Sequence, residues 1–301
     1  MKKLTGTLLL LSLAMRVSAA ESERSDVYNV GASYSEDEAY AVQAGADLAV
    51  WSRSRFQLGG TYAHSKDVRD DVDTYQGYLN WDQHIAPFGF VLGVEYWGDR
   101  SRINSYAGRG AGYYQSDTTR VAVSFERKKI EFSYDLPLAL RAFVSDSQTV
   151  YGNGYGLSVS QQVARAGLYA RGTYYDYTVP FRRFEIQDSS SVPLLQLPLL
   201  QERVEDLRRS LRRANSSSLR LANNLLDYSV SVGIDYAFGE QTVNVEVNRD
   251  RGAVDHILIN TFSAGWAMPI YSNADVELRV GTAHADTVSS LFGSISFSFY
   301  H

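Results

Sequence analysis

The sequence predicts an all-β fold: a transmembrane, antiparallel, up-and-down β-barrel of fourteen strands. The first observation is a hydrophobic alternation of period two that recurs from Val27 to Phe299, clear at Val230, Val232, Ile234 and Tyr236 and at Phe88, Phe90, Leu92, Val94 and Tyr96. Such alternation makes strands with one oily and one wet face. The second is that the wet positions carry Gly, Ser, Asn, Asp and Arg, with no repeated helix pattern to cover the oily ones, so lipid is the simplest cover. The third is an ordered spacing of short and long connections. These observations exclude a helical membrane protein, as does a mean hydropathy of −0.24 beside 21 tyrosines.

The strands read approximately as 26–35, 38–50, 54–64, 73–83, 87–97, 117–126, 129–143, 152–161, 164–177, 226–238, 241–250, 256–268, 273–284 and 290–300. Most have the nine or more residues that a tilted strand needs to cross a bilayer. Pro137 interrupts the seventh, but Leu136, Leu138 and Leu140 stay in phase, so one strand with a local bulge is expected. Twelve strands is the alternative count, if the first or eighth strand is misread. Bacterial barrels have short periplasmic turns and longer outer loops. Every even-to-odd connection here is short: Trp51 to Arg53, His84 to Pro87, Arg127–Lys128, Gln162–Val163, Gly239–Glu240 and Pro269 to Ala274. The odd-to-even connections include a glycine-rich loop from about Gly98 to Ser116 and a much longer one over 178–225. Both termini then lie in the periplasm.

The first twenty residues fit a secretory signal, with Lys2 and Lys3 as its basic end, Leu8 to Met15 as its apolar stretch and Ser18-Ala19-Ala20 as the cleavage site. The barrel domain is then residues 21–301. Without Lys2, Lys3 and Arg16 the formal charge moves from −5 to −8, which argues against a nucleic-acid surface. There are no cysteines, hence no disulfides and no thiolate metal site. Trp51, Trp81, Phe125, Phe238 and Trp266 sit near the expected inner turns, and Tyr34, Tyr40, Tyr62, Tyr96 and Tyr174 near the outer loops. Two such girdles of amphipathic rings belong at the lipid headgroups.

The chain closes with Ile295-Ser296-Phe297-Ser298-Phe299-Tyr300-His301. This resembles the C-terminal strand of Gram-negative outer-membrane proteins, with His301 where a Phe is usual. The resemblance implies recognition by the barrel-assembly machinery. In architecture the whole mature chain is similar to monomeric fourteen-stranded channels, general porins and oligosaccharide channels among them.

Fourteen strands about 4.8 Å apart and tilted by about 40° enclose a backbone diameter of roughly 28 Å, wide enough for a water-filled lumen. Small inward residues such as Gly45, Gly59, Gly93, Gly156, Gly233 and Gly281 are expected to widen it. The expected pore-lining charges are Asp47, Arg55, Glu95, Arg120, Glu131, Asp135, Arg141, Arg165, Arg171, Asp235, Glu277 and Arg279, together with Asp82, Glu126 and Glu246. Four arginines, 120, 141, 165 and 171, make one wall comparatively basic. Such charges either set solute preference across a constriction or pair with cross-strand neighbours and only keep the lumen wet.

In the long loop, Pro198 starts a helix pattern over about 199–213, with Leu200, Val204, Leu207 and Leu211 on one face and acids preceding arginines. Three roles compete: a gate over the barrel mouth, a contact of Arg208, Arg209, Arg212 and Arg213 with lipopolysaccharide phosphates, and a plain surface helix.

Enzyme chemistry finds little support. His64–Ser65 and Asp255–His256 are adjacent pairs that point to opposite faces of a strand; His284, Asp286 and Thr287 read as loop-end polar residues. The glycine clusters at 108–112 and 152–156 do not open a helix after a parallel strand, so no nucleotide site is expected. No cofactor and no metal are implied. The expected function is passive passage of small hydrophilic solutes or ions through a monomeric outer-membrane channel in contact with lipid and lipopolysaccharide. The rivals are a barrel for polysaccharide or protein export, a surface adhesion barrel, a hydrophobic-solute transporter and an outer-membrane hydrolase.

Overall fold

The computed structural model describes residues 26–36, 39–66, 71–99, 103–133, 147–178, 225–253, 256–285 and 288–301. The signal segment, Asp135, Arg141 and the helix pattern with Arg208, Arg209, Arg212 and Arg213 lie outside the described residues. Fourteen strands close into one antiparallel barrel: β1 (Val27–Ser35), β2 (Tyr40–Trp51), β3 (Ser54–Lys66), β4 (Asp71–Ile85), β5 (Phe88–Gly98), β6 (Ile103–Gln115), β7 (Thr119–Ser133), β8 (Ser147–Val163), β9 (Ala166–Tyr177), β10 (Leu226–Phe238), β11 (Gln241–Gly252), β12 (Leu258–Tyr271), β13 (Ala274–Ala285) and β14 (Val288–Tyr300). Each strand pairs with its neighbours in sequence, and β1 closes on β14 with Val27 opposite Tyr300 and Tyr34 opposite Gly293. The termini tie the seam, the Asp26 amide donating to the His301 carbonyl at 2.8 Å and the His301 amide to the Asp26 carbonyl at 2.9 Å.

The expected count holds, but two of its strands do not. Residues read as a glycine-rich loop form β6, and the predicted strands 117–126 and 129–143 merge in part into β7, where Arg127 and Lys128 stand mid-strand rather than in a turn. Both differences have a physical source. The outward side of β6 between Tyr106 and Tyr114 is Gly108, Gly110 and Gly112, so no oily alternation marks it. The run Arg127-Lys128-Lys129 imitates a polar turn. The short connection lies at 116–118 instead, held by the Ser116 amide donating to the Thr119 carbonyl at 2.8 Å. Every connection at that end is therefore two or three residues long, while those at the other end run from two residues at 286–287 to the 178–225 segment. Phe125 consequently sits mid-strand, against Tyr155 at 5.5 Å between ring centroids, and not in the girdle assigned to it. The turn expected at Gln162–Val163 falls at Ala164–Arg165, because β8 runs on to Val163.

Exposed large apolar residues occupy one alternate set of positions: Val30 on β1, Leu92 and Val94 on β5, Val123 on β7, Leu157 on β8, Val232 on β10, Phe262 on β12, and Val280 and Leu291 on β13 and β14. The complementary set faces the lumen. A single pairing device recurs on that inner face. Tyr78 lies across Gly59, Tyr113 across Gly89, Tyr175 across Gly154, Tyr177 across Gly152, Tyr169 across Gly233 and Phe292 across Gly281, each pair directly opposite in register. A Cβ at any of these glycines would come within 3.0 Å of the ring. The inward glycines therefore do not widen the pore as expected. They are seats for aromatic rings laid flat against the wall, and at Gly93 and Gly156 the space is taken by Asn80 with Arg109 and by Ser124.

The arrangement predicts unequal costs for alanine. Gly233→Ala must push the Tyr169 ring off the wall and is expected to lose about 1–3 kcal/mol. Gly112→Ala, which meets nothing within 4 Å on the outer face, should stay within about 0.5 kcal/mol of the parent. Denaturant unfolding of the folded barrels in detergent, read by tyrosine and tryptophan fluorescence, checks the difference.

Candidate functional site: the lumen wall

The register places Asp47 and Arg55 on β2 and β3, Glu95 on β5, Arg120 on β7, Arg171 on β9, Asp235 on β10, and Glu277 and Arg279 on β13, all on the inner face as expected. Most engage neighbours on adjacent strands. Arg55 Nε donates to Asp47 at 2.7 Å, and Gln57 donates to the same carboxylate at 3.3 Å. Arg171 donates to Ser231 at 2.5 Å and reaches Glu246 at 3.3 Å, while Tyr169 donates its hydroxyl to Glu246 at 2.6 Å. Arg279 pairs with Glu277 at 2.8 Å along one strand. Apart from the same-strand Arg279–Glu277 pair, these short contacts match the alternative in which lumen charges pair across strands.

Two expected lumen charges are elsewhere. Glu131 is in phase with Val123 and Phe125, so it points outward, where Lys129 pairs with it at 2.6 Å. The misplaced turn at Arg127–Lys128 had inverted its phase. Arg165 belongs to the turn before β9, exposed at the rim rather than on the wall, because β8 is longer than expected.

Two lumen cations were missed for the same reason. Arg109 on β6 donates to Asn80 Oδ1 at 2.7 Å and stands 3.8 Å from Glu95, which also accepts from Gln76 at 3.0 Å. Lys128 on β7 is buried, 3.0 Å from Glu126 and 4.2 Å above the Tyr175 ring. The signal that would have found Arg109 is the alternation Ala107-Arg109-Ala111-Tyr113, polar and small on one phase against glycine on the other. Lower on this wall the Arg120 guanidinium stacks 3.9 Å from the centre of Tyr113, whose hydroxyl donates to Asp82 at 2.8 Å.

The inner face divides into walls of opposite sign. By net charge, Arg109, Arg120, Lys128 and Arg171 outnumber Glu126 on β6 to β9, and Asp235, Glu246, Asp250 and Glu277 outnumber Arg279 on β10 to β13. Towards the end of the barrel that carries the 178–225 connection, the β5–β8 wall turns apolar: Trp97, Ile103, Ile130, Phe132 and Val150 face inward and are each no more than 5% exposed. A polar lumen throughout had been expected. Among the described residues no cluster of His, Asp or Glu has metal-ligand geometry.

No protein-family model and no curated protein matches the chain. Solved structures do resemble it. Over 93% of this chain and 89% of the other, it aligns with the CymD monoaromatic hydrocarbon channel at a TM-score of 0.54 and 9% identity. A Pseudomonas aeruginosa FadL homologue aligns over 91% and 89% at 0.50 and 9% identity, and an OmpT loop-deletion mutant, an outer membrane protein of Vibrio cholerae, over 92% and 98% at 0.47 and 10% identity. At such identities the likeness is one of fold. The chain is a closed fourteen-stranded barrel with an apolar outer belt, of the architecture that integral outer-membrane β-barrel proteins share.

Proposed function

We propose that this barrel is a passive channel for small hydrophilic solutes or ions. The observation that carries the reading is the inner wall: charged and hydroxylic side chains line a fourteen-stranded cylinder whose outer face is apolar. Ion pairs along the wall and rings seated on glycine hold that lining in place. The basic β6–β9 wall and the acidic β10–β13 wall set up a transverse field, which orients dipolar solutes during passage. The end at which every connection is two or three residues long is taken as periplasmic, with the 178–225 connection outside. That connection is proposed as a gate, and the apolar inner patch of Trp97, Ile130, Phe132 and Val150 on its side of the barrel supports a contact inside the mouth.

The same patch favours a second reading, passage of an apolar solute, since a wall built for water alone has no use for it. Planar-bilayer recording separates the two. A hydrophilic channel conducts ions in steady, discrete steps, whereas a barrel reserved for apolar solutes leaves the bilayer silent yet speeds uptake of such a solute into vesicles.

Two variants refine the reading. In a salt gradient, the R109E/R120E double substitution is expected to move the zero-current potential towards cations. An unchanged potential would remove these residues from the selectivity-setting wall. Deleting residues 192–222 should lengthen open times and quieten the current, and identical conductance and noise would eliminate the gate.

A further inference from the structure

The β7 register that moved Lys128 into the lumen puts its neighbours Arg127 and Lys129 on the lipid-facing side. Lys129 lies in a row of outer-face aromatics, Tyr96, Tyr106 and Tyr151, of which the first two are 5.4 Å apart. Arg127 is one level nearer the bilayer centre, in the row of Val94 and Gly108. An arginine on a lipid face costs up to about 2–4 kcal/mol at the midplane and about 0–1 kcal/mol near the interface. Nothing among the described residues neutralises it: its contacts are Asn153 Oδ1 at 3.3 Å and the Tyr151 ring at 5.5 Å. Glu131 is engaged by Lys129 at 2.6 Å. The next outward carboxylate in the row, Asp176, stands beyond Asn153, two strands away.

Below this basic pair the outer surface is furrowed. Added Cβ atoms at Gly108 and Gly112 would meet nothing within 4 Å, and at Gly110 only Leu92 at 3.6 Å. Leu92 and Val94 on β5 and Val123 and Phe125 on β7 form the banks, all exposed. The furrow is one strand wide and about three glycines long, with Arg127 and the Lys129–Glu131 pair at its upper end.

We infer that β6 to β8 carry a binding site for a phosphorylated glycolipid of the outer leaflet. Its phosphate meets Arg127, beside the Lys129–Glu131 pair, and one acyl chain lies along Gly108, Gly110 and Gly112. Charge complementarity selects the phosphate, and the missing side chains let an alkyl chain approach the strand backbone closely, where dispersion contacts accumulate. The site is separate from the lumen, and its leaflet follows from the orientation proposed above.

The test is native mass spectrometry of the full barrel in detergent, with lipid A, dephosphorylated lipid A and phosphatidylglycerol as probes. Expected are retention of lipid A, a fall of at least about tenfold in that retention for R127A, which leaves the Lys129–Glu131 pair intact, and a clear fall for G110L, which fills the furrow without changing charge. Both variants should keep the parent's heat-modifiable gel mobility and single-channel conductance, so loss of lipid is read independently of folding and of the channel. Equal retention of lipid A by R127A, or of dephosphorylated lipid A by the parent, would overturn the phosphate contact. Equal retention of phosphatidylglycerol would overturn the outer-leaflet glycolipid as the ligand.

Discussion

The backbone cannot leave a donor or acceptor bare in hydrocarbon, and everything else in this molecule answers to that. A strand cannot satisfy itself, so it needs two neighbours, and only a closed ring supplies them to all. The seam between β1 and β14, with reciprocal amide–carbonyl bonds between Asp26 and His301, is where the ring is completed. With alternating strand direction, successive connections then fall at alternate ends of the ring. It also forces side chains to alternate between lipid and lumen without interruption.

That alternation confronts the inner face with a packing problem opposite to that of a soluble core. Large residues must line the wall without filling the cylinder. The pairing of Tyr113 with Gly89, Tyr169 with Gly233 and Tyr175 with Gly154 answers it by giving each ring a vacant place in the adjacent strand. Charges are handled in a similar way: Arg55 with Asp47 and Arg171 with Glu246 reach sideways along the wall to a partner, and Lys128 pairs with Glu126 along its own strand. The apolar stretch around Ile130, Phe132 and Val150 departs from this economy and marks one side of the mouth as different.

Much of the fold was legible because the physics of lipid contact writes itself as period two. Strands such as β5 and β10, with an oily residue at nearly every second position, were found almost to the residue. β6 was missed because its lipid face is Gly108, Gly110 and Gly112, which satisfy hydrogen-bonding needs without contributing hydrophobicity. The stretch Arg127-Lys128-Lys129 misled for the converse reason: consecutive charges read as a turn, whereas in β7 they divide between lumen and lipid. Asp47, Arg55, Arg171 and Arg279 were placed correctly since they lie on strands with unbroken alternation. Glu131 was inverted by a slip in phase, and Arg109 and Lys128 vanished with the misread segment.

By itself, the amino-acid order determined the class of fold, the number of crossings and the face of most side chains, because each depends on local alternation that any single strand displays. Which residues meet across strands was decided only by the tertiary structure. Register is a relation between two segments, and a ring resting on glycine, a lysine seated over a tyrosine or a lipid-facing arginine beside a glycine furrow exists only once both strands are fixed side by side.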